Sequence, residues 1–251
     1  MTLTDALNEI ALYKQKPLDT IMNFYRSKTI DIEGHVKWSS IVNEEVAKLK
    51  LNKNNQNDLD KYYLNTENYI FELMEYHSTQ GKQDLIKHYI ELLKSYGCRT
   101  VLDYGCGVAQ DSIDIANEGL SCSACDLPGK TFDFAKWRVE QSELDIKMIV
   151  INDGNFLKNK IYNAITCFEV LQQTTDPMHH VKYIRDHLTV NGYFIFTARF
   201  DNDYELTLDS NKIYSNTFDQ MVLDAGFKLV LKELVYGDVV NGKYLHVFKK
   251  S

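Results

Sequence analysis

From residue 98 onward the sequence alternates short apolar runs with amphipathic stretches, and this alternation constrains the fold more than any other feature. Runs at 100–103, 122–126, 147–151, 164–168 and 193–198 read as strands, each bounded by glycine or polar residues. Helical stretches lie between them. One closes at Gly119, one covers 132–143, and one opens with Asp176 as N-cap and Pro177 in the first helical position, with Asn191-Gly192 as its stop. Thr217-x-x-Gln220 reads as a capping box for a last helix ending at Gly226. Strands joined through helices return in the same direction, so the sheet should be parallel and covered on both faces. The closing runs, 228–235 and 244–248, are joined instead through Asn241-Gly242, a hairpin signal that places an antiparallel pair at the end.

Residues 1–96 lack strand-like alternation and read as helical, punctuated by Pro17, Gly34 and a polar loop at 52–58. The clearest helices are 65–76 and 82–96, the second capped by Gly97. Aromatic residues are frequent here, and packing into a helical core accounts for most of them. Two units are expected: a helical cap over 1–96 and an α/β domain over 97–251. No apolar run reaches the ~18 residues of a membrane-crossing helix. The start, Met1-Thr2-Leu3-Thr4-Asp5, lacks the basic and apolar regions of a secretory signal. A soluble, cytoplasmic protein is expected. The net charge of −7, with no Lys/Arg cluster, argues against a nucleic-acid partner.

The residues that carry chemistry lie where such sheets bind ligands, beyond the carboxyl ends of the strands. The first strand runs into Asp103-Tyr104-Gly105-Cys106-Gly107-Val108-Ala109, where two glycines let the backbone turn tightly and lie against a ligand. A nicotinamide-type G-x-G-x-x-G would require Gly or Ala at position 110, and Gln110 stands there. The spacing D-x-G-x-G, with acids following in order at Asp126 and Asp153 and the strand-four segment ending Phe168-Glu169-Val170-Leu171, resembles the class I S-adenosylmethionine-dependent methyltransferases. The resemblance covers about residues 98–250. It implies a Rossmann-like seven-stranded, mostly parallel sheet with an antiparallel C-terminal hairpin, an N-terminal helical cap, and S-adenosylmethionine as cofactor.

By that resemblance the cofactor-binding residues are Asp103, Gly105, Cys106, Gly107, Gln110, Asp126, Leu127, Asp153, Gly154, Asn155 and Phe168, with Asp126 on the ribose hydroxyls and Asp153 on the adenine amino group. The implied reaction is methyl transfer to a nitrogen, oxygen or carbon of a small-molecule acceptor. The alternatives are a non-catalytic cofactor-binding partner and a non-methylating use of the same cofactor. Three positions depart from the family pattern: Ala109 for a third glycine, Asn163 for a common Asp, and Gln172-Gln173 for a Glu-His pair. Gln172 and Gln173 are the catalytic-side candidates, as amides that orient an acceptor without acting as a base. The cap, with Tyr62, Tyr63 and Tyr69, and an insert at 200–215 are expected to form the acceptor pocket.

Cys122-x-x-Cys125 invites a metal or redox reading, but on a strand residues three apart point to opposite faces, so buried thiols are expected. His179, His180 and His187 share a predicted helix without carboxylate or cysteine partners and read as surface histidines.

Overall fold

A computed structural model describes residues 1–29, 40–52, 55–152, 155–201, 206–236 and 243–251. The cap begins with α1 (Leu3–Lys14), whose start is sealed by Thr2 and Asp5 hydrogen-bonding each other's backbone N–H. It continues through α2 (Leu18–Thr29), α3 (Ser40–Leu49), α4 (Gln56–Asn65) and α5 (Tyr69–Ser78). The helix expected over 65–76 is therefore interrupted. Thr66 leaves the helical conformation to end α4, its hydroxyl donates to Glu45 at 2.7 Å, and the chain restarts at Tyr69. The helix expected over 82–96 is α6 (Gln80–Ser95).

The alternating half folds as β1 (Thr100–Tyr104), α7 (Gln110–Asn117), β2 (Ser121–Asp126), α8 (Lys130–Ser142), β3 (Ile146–Val150), β4 (Tyr162–Phe168), α9 (Pro177–Asp186), β5 (Leu188–Thr197), α10 (Phe218–Asp224), β6 (Phe227–Tyr236) and β7 (Lys243–Lys250). Among the described residues seven strands form one sheet in the order β3-β2-β1-β4-β5-β7-β6. β1 to β5 run parallel, and β7 runs antiparallel to both β5 and β6. The expected fold class is the observed one. The Asn241-Gly242 turn itself lies outside the described residues.

Period-two alternation supplies both faces of the core. Val101, Ala124, Ala164, Ile195 and Val247 point to one face and pack with α6, α7 and α8. Leu102, Cys125, Ile165, Phe194 and Phe248 point to the other and pack with α9 and α10. Cys122 and Cys125 fall on these opposite faces, and all five cysteines are free and buried. A third cluster joins α1, α2 and α5 to Phe134 of α8 and to Val108 beside the glycine turn, so these helices share a core with the elements around the sheet. No helix among the described residues is long and apolar enough to cross a membrane.

Two local expectations need correction. Asn191-Gly192 does not stop a helix: α9 ends at Asp186, where the two ring nitrogens of the buried His187 lie 2.8 Å from the Tyr183 carbonyl and 3.1 Å from the Lys158 carbonyl. β5 already begins at Leu188 and carries a register shift across Asn191, at φ +63°, and Gly192. Thr217 forms no capping box, because its backbone is helical and its hydroxyl donates back to the Ile213 carbonyl at 3.2 Å. Asn163, the departure at strand four, has a structural role. Its side-chain oxygen accepts from the N–H groups of Arg99 and Thr100 and from the Thr100 hydroxyl, at the sheet edge opposite the site.

Candidate active site

Strand order reverses between β1 and β4, so their carboxyl ends leave a crevice where the turns diverge. β1 delivers Asp103, which is 3% exposed and accepts from Ser112 at 2.6 Å. Burial first, then the neighbouring Asp111 carboxylate, raises its pKa, with the Ser112 bond opposing. Beyond it the backbone turns through Gly105, whose φ is +78°, and Gly107. Gly105 and Cys106 both donate to the Cys125 carbonyl, at 2.8 and 3.0 Å, fastening the turn to β2. The Cys106 thiol is buried in the core, where desolvation raises its pKa.

Asp126 ends β2 and reaches across. One carboxylate oxygen accepts from Gly107 N–H at 2.6 Å, the other from Leu127 N–H at 2.7 Å. Burial outweighs these two bonds and lifts its pKa from 3.8 to about 6. Each oxygen takes one of these bonds and keeps a lone pair for a further donor. A carboxylate with lone pairs to spare, placed beside a glycine turn, suits a ligand that presents hydroxyl groups, so the chemistry of the donor set fits the ribose of S-adenosylmethionine.

The other expected residues fall as follows. Phe168 ends β4, half-buried, with its ring 4.7 Å from that of Tyr89. Gln110 opens α7, but its amide is engaged by Arg138 at 2.6 Å and by Asp114 at 3.0 Å. Asn155 accepts from the Tyr183 hydroxyl at 3.1 Å. Asp153 and Gly154 lie outside the described residues. Gln172 and Gln173 form a short 3-10 turn after β4. Gln172 is 1% exposed and donates to Glu169 at 2.9 Å, while its side-chain oxygen has no hydrogen-bond partner. Gln173 accepts from the Tyr63 hydroxyl of α4 at 2.6 Å, which joins the cap to the crevice. Tyr62, Tyr63 and Tyr69 stand edge-on to one another. Burial first, and among the lesser causes the Asp126 charge, raises the phenols of Tyr63 and Tyr69 well above the ordinary range.

The cap covers the crevice closely. Leu73 of α5 lies over Gly107, and the backbone of Tyr63 and Leu64 presses on Gly129. Of the histidines read as surface residues, His179 is exposed. His180 bonds the Tyr104 hydroxyl at 2.7 Å, and desolvation lowers its pKa to about 4.

Sequence reasoning passed over two groups here. Arg138 of α8 donates to the Val108 carbonyl, to Gln110 and to Glu9 of α1, and so staples the glycine turn to the cap. Glu169 follows Phe168 in a left-handed conformation, φ +58°. Its carboxylate accepts from Thr197 at 2.6 Å and Gln172 at 2.9 Å, and faces the Lys243 ammonium at 3.3 Å. Glu169 stood within the segment quoted for strand four, and a non-glycine residue at positive φ needs surroundings that hold it there.

The Asp126 pKa gives a first expected result. A protonated carboxyl cannot accept as well from a diol, so affinity for S-adenosylhomocysteine should rise severalfold between about pH 5 and about pH 7. Asp126→Asn should flatten that limb in calorimetric titrations; an unchanged limb would place the titrating group elsewhere. Folding stability runs the opposite way. The raised native pKa favours the folded state below about pH 4, and that contribution is lost as pH rises through about 6.

A family model described as a methyltransferase domain matches residues 37–231. Among curated relatives, a ubiquinone biosynthesis O-methyltransferase of Nitrosomonas europaea is 26% identical over 110 residues, covering 43% of this chain and 47% of its own. The corresponding protein of Coxiella burnetii is 28% identical over 111 residues, covering 44% and 47%. The chain spans about half the length of the curated relatives it matches. Among solved structures, the N-methyltransferase NodS of Bradyrhizobium japonicum, in complex with S-adenosyl-L-homocysteine, superposes with a TM-score of 0.56 at 15% identity, covering 68% of this chain and 88% of its own.

Proposed function

The chain belongs to the methyltransferase-domain family, and from that premise we infer that it transfers a methyl group from S-adenosylmethionine to a small-molecule acceptor. The observation that carries the reading is the Asp126 carboxylate, placed beside a glycine turn at the carboxyl edge of the sheet and bound to the turn's own backbone. When bound, the cofactor supplies a methyl group on a sulfonium leaving group, so the protein's task is to hold acceptor and methyl in contact and exclude water. Asp126 would grip the ribose hydroxyls through charge-assisted bonds, and Asp103 would order the turn from below. Gly105 and Gly107 would let the backbone approach the ligand, and Phe168 would pack against it. Asp153 and Gly154 belong to this reading through the family pattern alone. Gln110, held by Arg138 and Asp114, would act by fixing the start of α7.

On the acceptor side we assign Gln172 and Gln173 to orientation. The α1–α5 cap and the segment after β5 would wall the pocket, as the Tyr63–Gln173 bond and the Leu208 N–H bond to the Gln172 carbonyl support. The buried free thiols suit a reducing, cytoplasmic setting. The reading is tested by incubating the protein with S-adenosylmethionine and a panel of phenols, catechols, carboxylic acids and amines, with S-adenosylhomocysteine measured by mass spectrometry. Product with one acceptor class is the expected outcome. Tight cofactor binding without product from any acceptor would favour a non-catalytic cofactor-binding partner.

With an acceptor in hand, the Tyr63–Gln173 bond can be weighed. Tyr63→Phe and Gln173→Ala should each lower kcat/KM roughly fivefold, the worth of one hydrogen bond, and leave cofactor affinity unchanged. The double variant should be no worse than either single one, because both remove the same bond. Additive losses would show that the two residues act separately.

A further inference from the structure

Beside the crevice, on the β5–β7 side, a cation is held by residues that neither the glycine turn nor Asp126 touches. β7 runs antiparallel, so its first residue, Lys243, arrives at the same edge as the carboxyl ends of β4 and β5. The Lys243 side chain is 15% exposed. Its ammonium donates to the Tyr76 hydroxyl at 2.8 Å, lies 4.8 Å from the centre of that ring, and faces Glu169 at 3.3 Å. Burial is the largest single influence and works against the charge, but Glu169 and Tyr76 together outweigh it and keep the ammonium above the ordinary lysine range. Lys82 lies on the same tyrosine ring at 5.5 Å, yet its charge is committed to Asp111 at 2.8 Å.

The count of donors matters here. An ammonium has three N–H donors and a tyrosine has one O–H. Tyr76 accepts from Lys243, so its own proton points elsewhere. Glu169 is shared among Thr197, Gln172 and the ammonium, and the last is a 3.3 Å ion pair rather than a short bond. Lys243 thus keeps an N–H, and Tyr76 its O–H, beyond these contacts, and the buried side-chain oxygen of Gln172, whose amide nitrogen donates to Glu169, has no donor. Position ties this cluster to the reaction. Glu169 is the residue after Phe168, Val170 packs on Gly105, and Tyr76 is one turn beyond Leu73, which covers Gly107.

We propose that Lys243 and Tyr76, held by Glu169, form a binding site for an ionised oxygen of the acceptor, such as a phenolate or carboxylate. The assignment rests on the methyltransferase reading and deepens it by naming the acceptor class. An ionised oxygen gains a charge-assisted bond from Lys243 and a second bond from Tyr76. Glu169 is a positioning residue, and its left-handed backbone is held by the bonds its carboxylate makes.

Para-nitrophenol is a direct probe, because its anion absorbs visible light and its neutral form does not. Wild-type protein saturated with S-adenosylhomocysteine should raise the phenolate absorbance at a pH just below the probe's own ionisation. Lys243→Met should remove this gain, and Tyr76→Phe should weaken probe binding about tenfold, while cofactor affinity stays at the wild-type value. Removing Lys243 leaves Glu169 without its cation, so the double variant Lys243→Met/Glu169→Gln supplies a charge-balanced form in case the single one fails to fold. It too should show no gain. Competition by benzoate would assign the site to carboxylates as well as phenolates. No phenolate gain with wild type, or an equal gain in the variants without Lys243, would overturn the assignment. Absence of S-adenosylhomocysteine binding by wild type would instead overturn the methyltransferase reading beneath it.

Discussion

Replacing Gly105 with Val should weaken S-adenosylhomocysteine binding more than a hundredfold. The residue has φ +78°, where an L side chain costs about 1–2 kcal/mol. A Cβ there would sit 2.3 Å from a Val170 methyl carbon, and the two further methyl groups of Val have no space without moving the turn or strand four. Both neighbours belong to the crevice. Turn displacement would also break the Gly107–Asp126 bond, so a single substitution attacks the site from two sides. Calorimetry on a variant shown to be folded by circular dichroism would read the loss, with Gly105→Ala as a milder companion. Normal binding by both would mean that the ligand does not lie against this turn.

Gly129→Ala should loosen the cap. Gly129 precedes α8 at φ 142° and ψ −174°, a region open essentially to glycine. A Cβ would lie 2.6 Å from the Tyr63 carbonyl oxygen and 2.9 Å from the Leu64 Cα. These are backbone atoms at the end of α4 and cannot swing aside as a side chain can. Backbone strain and the forced separation together should cost about 3 kcal/mol or more, read as a lowered midpoint in urea unfolding. Loss of the Tyr63–Gln173 bond should accompany it, so kcat/KM should fall with the stability. An unchanged midpoint would show that α4 does not need this close approach.

The crevice was legible in the sequence because its chemistry is local. Asp103, Gly105 and Gly107 are neighbours in one turn and Asp126 ends the next strand, so their order along the chain carried the family resemblance that singled them out. The parallel sheet covered on both faces followed from the repeated strand–helix units, and the closing antiparallel pair from two runs joined without a helix. The Glu169–Lys243–Tyr76 cluster was not legible. Its members come from β4's end, the last strand and the cap, and only the antiparallel return of β7 brings Lys243 to the others. Arg138 escaped for the same reason, since its partners are a backbone carbonyl and residues of two other helices. The failed capping box at Thr217 and the misplaced stop at Asn191-Gly192 are local patterns overruled by neighbours: a back-bonded hydroxyl in one case and strand pairing in the other.

The most direct test of the account is a calorimetric titration of the wild-type protein and of Asp126→Ala with S-adenosylhomocysteine at neutral pH. With the ribose hydroxyls on Asp126, as proposed, the wild type should bind one equivalent and the variant about ten- to a hundredfold more weakly. Equal affinity in the two proteins, or no binding by the wild type, would contradict it.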